Sequence, residues 1–201
     1  MFPAGIIQEP FYSLDYPTAM NLGGLGSVIG HELGHAFDDS GSQYAGDGTL
    51  RNWWSTTSRT RFETSAQCIA DLYSGYEVTP GANLDGELVL GESIADLGGM
   101  HQSYNTYVHW RSDSAAQAAE ESAAIAEAFN MSDAQLFMVA FAQTWCSVAT
   151  PEYEAELAAN NPHPASRFRV LGTLSNSDAF ASAFECPLGS TYNPESKCAV
   201  W

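Results

Sequence analysis

Apolar residues recur at helical spacing along most of the chain, and the breaks between them mark the elements. In residues 22–38, Leu25, Val28, Ile29, Leu33 and Phe37 follow the three-to-four interval of a buried helix, and Asp38-Asp39-Ser40-Gly41 ends it. The pattern predicts a long helix over 55–76, a loop over 77–87, and a second long, mostly buried helix over about 88–111. Residues 114–129 are rich in alanine and glutamate and helical by propensity. Ser132 reads as the N-cap of the next helix, and short helices are expected over 151–159, 164–172 and 177–185, before an irregular tail. The first twenty residues carry Pro3, Pro10 and Pro17, and the alternation in "FPAGIIQEPFYSL" predicts one or two short strands there. No repeat or linker divides the chain. It reads as one unit over 1–201, mainly α with a small β component near the N-terminus.

Composition narrows the partners. The 201 residues are 45% hydrophobic and 15% charged, enough apolar matter for one sizeable core. Acidic residues outnumber basic ones 24 to 7, for a formal charge of −17. With no Lys/Arg cluster to meet phosphates, the pattern argues against nucleic acid and against an anionic membrane surface. No segment reaches the ~20 apolar residues of a membrane span. The four cysteines, Cys68, Cys146, Cys186 and Cys198, form no Cys-x-x-Cys pair. Their wide spacing fits either disulfides of an oxidising compartment, with the connectivity open, or free buried thiols. One glycosylation triplet, Asn130-Met131-Ser132, agrees weakly with secretion. The opening "MFPAGIIQEPF" has neither a basic start nor a long apolar run. An extracellular-looking chain without an export signal is expected to lack an N-terminal part.

Residues 31–35 read His-Glu-Leu-Gly-His. On a helix, positions i and i+4 share a face, so His31 and His35 can reach one metal ion. Glu32 is rotated about 100° from His31, placing it to take a proton from water without binding the metal. A catalytic zinc needs a third protein ligand and an open position. The remaining histidines, His101, His109 and His163, do not fit the longer three-histidine pattern, since positions 38 and 41 are Asp and Gly. The segment "GESIADLGG" offers carboxylates instead: Glu92 as the ligand and, one turn on, Asp96 as acceptor for the free N–H of a ligating histidine. The plainer reading of these two acids is a solvated helix face. Ile94, Ala95, Leu97 and the two glycines argue for close packing.

The blocks "FPAGI", "GSVIGHELGHAFDD", "GESIADLGG", "FAQTWC", "NPHPASRFRVLGTLSNSDAFASAF" and the closing Cys-Ala-Val-Trp occur in order. Together they resemble the neprilysin and endothelin-converting-enzyme family of zinc peptidases over essentially the whole chain, matching its C-terminal third. The resemblance implies an incomplete zincin-type (gluzincin) catalytic domain, with a zinc helix at about 22–38 and a third-ligand helix at about 88–111. It implies one zinc ion on His31, His35 and Glu92, Glu32 as general base, and Asp96 beside a ligating histidine. His163 would stabilise the oxyanion and Arg169 would bind a substrate carbonyl. Ile6, Phe11, Val28 and Trp145 would form an apolar specificity pocket, with Ser27 and Thr144 as polar departures. A disulfide between Cys68 and Cys198 is implied, with partners for Cys146 and Cys186 in an absent N-terminal part.

The expected activity is hydrolysis of peptides by a zinc metalloendopeptidase. The alternative is a truncated fragment that binds zinc or peptide without turnover. The implied setting is extracellular or cell-surface. A longer parent would be membrane-anchored, this segment would make no membrane contact, and the missing N-terminal part of the enzyme would be its partner.

Overall fold

The computed structural model describes residues 3–201, so the first two residues of the predicted N-terminal segment lie outside it. The path is mainly helical: α1 (Thr18–Asn21), α2 (Ser27–Gly34), α3 (Thr56–Ser74), α4 (Leu90–Asp113), α5 (Ala115–Phe129), α6 (Asp133–Gln143), α7 (Pro151–Asn160), α8 (Ser166–Ser175) and α9 (Asp178–Ala183). Local chemistry explains several starts. Ser55, Ser132, Thr150 and Ser177 each accept a backbone N–H from three residues on, and Gln135 returns the bond to Ser132 as a capping box.

Among the described residues the one sheet is an antiparallel hairpin, β1 (Glu77–Thr79) with β2 (Ala82–Asn83). It lies inside the predicted 77–87 loop. Among the described residues of the first twenty, the expected strands do not form; Ala4–Ile6 is a turn of 3₁₀ helix and the chain then runs through turns. The N–H groups there are spent on local turns, as in Ile6 to Pro3, Ile7 to Ala4 and Phe11 to Gln8.

α4 is the spine. Its first half joins α3, the hairpin, Phe168 and Cys198 in one core, centred on Ile69, Tyr73, Val89 and Ile94. Met100 and Tyr107, further along, join Ala19, Ile125, Phe137 and Phe141 in a second core under α5 and α6. Cys68 and Cys198 form a disulfide that ties the tail to α3. Beyond it, Trp201 stacks on Phe62 and meets Phe37 edge-on. No helix among the described residues is long and apolar enough to cross a membrane.

The motif helix departs from its predicted burial. α1, a wider π-helical turn at Leu22–Gly26, α2, and a 3₁₀ turn at His35–Phe37 form one continuous helical path. It meets α4 through glycine. A Cβ on Gly30 would lie 2.6 Å from the Gly99 carbonyl oxygen, and one on Gly99 would lie 2.3 Å from the His31 nitrogen. Backbones this close leave no room for the apolar residues between them. Ile29, Leu33 and Phe37, expected inside, are therefore 40%, 66% and 46% exposed. With Leu22 and Trp201 they line an open apolar groove of about 500 Å³.

A candidate metal centre

The helix contact sets the site. Because α2 lies hard against α4, His31 and His35 look onto Glu92 in the first turn of α4, and the three can offer ligand atoms within 4.8 Å of one another. His31 Nε2 and His35 Nε2 are 3.0 Å apart, and the Glu92 oxygens lie 3.3 and 3.5 Å from them.

The far side of each imidazole is anchored. His31 Nδ1 is 2.8 Å from Asp96 Oδ1, and His35 Nδ1 is 2.7 Å from Asp38 Oδ2. A carboxylate accepts only, so each Nδ1 carries the hydrogen and each Nε2 presents a lone pair. With both imidazoles neutral, two nitrogen lone pairs and a carboxylate converge. Such a set fits a borderline divalent cation such as zinc.

Asp38 was not singled out by its sequence position. It is buried at the end of the helical path, where Oδ1 also accepts the N–H of Ser40 at 2.9 Å and of Gly41 at 2.6 Å. Its one signal was the spacing of three residues after His35, which the Asp-Asp-Ser-Gly stop signal obscured.

The charges are balanced from behind. Arg169 donates through Nε and Nη2 to Asp96, both at 2.6 Å, and its guanidinium lies 3.9 Å from the centroid of the Trp145 ring. Burial would raise the Asp96 pKa, but the Arg169 charge and the bonds from His31 and Arg169 hold it below the usual carboxylate range. Burial likewise opposes the negative charge of Glu92, which His31, His163 and Arg169 restore. His31 is pulled down by burial and up by Asp96 and Glu92; the carboxylates win and push it up to about 9. His35 is raised chiefly by its bond to Asp38. The pocket thus favours positive charge where the three ligand atoms meet.

A cavity of about 260 Å³ opens beside this cluster. It is lined by Glu32, His163 and Arg169 and, on its apolar side, by Ile6, Phe11, Val28 and Trp145; Phe141, which sequence did not suggest, completes the wall. Ser27 and Thr144 also line it, and their hydroxyls donate to the carbonyls of Leu22 and Phe141. Glu32 is exposed. His163 sits in the loop before α8 with its side chain 51% exposed, Nε2 3.2 Å from Glu92 and Nδ1 3.0 Å from Asn161 Oδ1. Cys146 and Cys186 are free.

Comparison with known proteins gives a consistent picture. The model of peptidase family M13 matches residues 1–200. Rat endothelin-converting enzyme 1 is 46% identical over all 201 residues, which span 26% of that enzyme. Neprilysin-3 of Drosophila melanogaster is 43% identical over the whole chain and 25% of its own length. The solved zinc metalloprotease of Mycobacterium tuberculosis, in complex with an inhibitor, superposes with a TM-score of 0.78 at 31% identity, covering 92% of this chain and 28% of the other. The chain thus spans about a quarter of the length of the curated relatives it matches.

Proposed function

This chain belongs to peptidase family M13, and from that premise we propose that it is the catalytic portion of a zinc-dependent metalloendopeptidase that hydrolyses peptide bonds. The observation that carries the reading is the His31–His35–Glu92 cluster with an aspartate behind each imidazole. One zinc ion would be held by Nε2 of His31, Nε2 of His35 and the Glu92 carboxylate. When bound, zinc supplies Lewis acidity, polarising a peptide carbonyl and lowering the pKa of water.

The side chains of this protein do the rest. Glu32 takes the proton of the attacking water and returns it to the leaving amine as the C–N bond breaks. His163 stabilises the oxygen on which negative charge gathers. Asp96 and Asp38 keep the two imidazoles in one tautomer. Nε and Nη2 of Arg169 are committed to Asp96, so Nη1 is the donor left for a peptide carbonyl. The wall of Ile6, Phe11, Val28 and Trp145 receives an apolar substrate side chain.

We place the protein in an oxidising compartment, outside the cell or at its surface. The Cys68–Cys198 disulfide supports this. The further polypeptide carried by longer relatives is its proposed partner, and the open groove of Ile29, Leu33 and Phe37 offers it an apolar face.

Glu32→Gln is the test. It should retain zinc, by elemental analysis of the purified chain, and lose cleavage of a quenched peptide library by roughly 10²–10⁴-fold. Normal cleavage by this variant would sink the mechanism. A second reading, zinc or peptide binding without turnover, draws on the exposure of His163 and the quarter-length span. Zinc bound by the unaltered chain with no cleavage would establish it instead.

A further inference from the structure

Asn130 closes α5 in the left-handed region, at φ 53° and ψ 40°, with its own N–H bonded to the Ala126 carbonyl at 3.1 Å. The residue is exposed and belongs to the only Asn-X-Ser/Thr triplet in the sequence, Asn130-Met131-Ser132. Its side chain is unusual here. The chain has nine asparagines. Eight of them use the carboxamide to hold the fold: Asn21 donates to Ser13, Asn83 to the Ser74 carbonyl, Asn176 to that of Gly172 and Asn193 to that of Cys186, with the other four similarly engaged. Only the Asn130 carboxamide makes no hydrogen bond among the described residues.

The one asparagine that can be glycosylated is therefore the one whose amide the fold does not need. Its neighbour Phe129 is 46% exposed, an apolar ring at a helix end that a bulky hydrated group would cover. None of α5 lines the cleft beside the candidate metal centre. The disulfide independently fits an oxidising compartment, the kind of setting in which secreted chains are glycosylated.

We propose that Asn130 is an N-glycosylation site. The donor is an oligosaccharide joined through a diphosphate to a lipid carrier. Asn130 Nδ2 bonds to the sugar C1 as the C1–oxygen bond to the diphosphate breaks, and the proton lost from Nδ2 leaves with the lipid diphosphate. The timing also follows. In the folded chain the Ser132 hydroxyl caps α6, accepting the Gln135 N–H at 3.3 Å. Transfer therefore precedes closure of that cap, while the chain is being translocated.

The inference rests on the compartment proposed above, not on the peptidase chemistry. The chain, fused to a cleavable secretion signal, is expressed in a eukaryotic secretory host and weighed intact before and after peptide N-glycanase. The expected result is one glycan on the secreted chain, with aspartate left at position 130 after the enzyme. Asn130→Gln should abolish it, and Ser132→Thr, which keeps both the triplet and a helix cap, should retain it. A secreted chain with the disulfide closed and Asn130 unmodified overturns the proposal. Should secretion fail, cell-free translation with microsomes decides: a protease-protected chain of unmodified mass also overturns it.

Discussion

His35 owes its tautomer to a residue three positions downstream that also ends the helix. Asp38 spends one oxygen on His35 Nδ1 and the other on the N–H groups of Ser40 and Gly41. Asp38→Asn keeps the shape but replaces an acceptor-only group by one that can also present N–H. Its zinc affinity should fall about 10–100-fold against Glu32→Gln as the reference, measured by competition with a chelator dye, while the far-ultraviolet circular dichroism stays unchanged. An unchanged affinity would show that His35 needs no anchor. At this scale the sequence was informative where a helical interval applied. Spacing alone put Glu92 and Asp96 on one face of a helix. It could not join Asp96 to Arg169, 73 residues away, because nothing local encodes which carboxylate an arginine meets.

The contact between α2 and α4 carries the site, and it works by absence of side chains. In a helix interior alanine is worth about 1 kcal/mol more than glycine. At Gly99 the added methyl would collide with the His31 backbone, and at Gly30 with the Gly99 carbonyl, atoms that cannot swing aside. Gly99→Ala should therefore destabilise the chain by about 1–3 kcal/mol, a drop of several degrees in Tm by calorimetry, and weaken zinc binding by moving Glu92 from the histidines. Gly46→Ala, at a site with nothing within 4 Å, is the control and should leave both unchanged. A stabilised Gly99→Ala would mean that the helices are not in this contact. The element reading of the sequence went wrong at this contact, for a physical reason. Periodicity locates an apolar stripe but not its partner, so Ile29, Leu33 and Phe37 read as core. The buried face is the glycine one, which hydrophobicity does not register. The long helices were legible because their stripes and caps agreed. The small sheet was misplaced because a hairpin this short carries little pattern.

Across the whole molecule, one covalent link joins parts that the sequence keeps far apart. The cysteine spacing left the connectivity open; family resemblance singled out Cys68 and Cys198, and the folded chain brings their Cα atoms to 5.6 Å across a separation of 130 residues. Closing so long a loop restricts the unfolded chain by an amount the entropy model puts at ~5 kcal/mol, with about 2–5 kcal/mol usual when a native bridge is removed. The link also seats the tail, since Trp201 follows three residues later and reaches both Phe62 on α3 and Phe37 at the end of the motif helix. Cys198→Ser should then do two things together. The Tm should fall by roughly 10 °C, and the tryptophan emission should shift to the red as Trp201 leaves its aromatic neighbours. Deleting Trp201 alone, with the disulfide intact, should remove its share of the emission without that red shift, and cost less stability. If Cys198→Ser melts like the unaltered chain under the same conditions, the bridge is not what holds the tail, and aromatic stacking alone must fix the C-terminus against the motif helix.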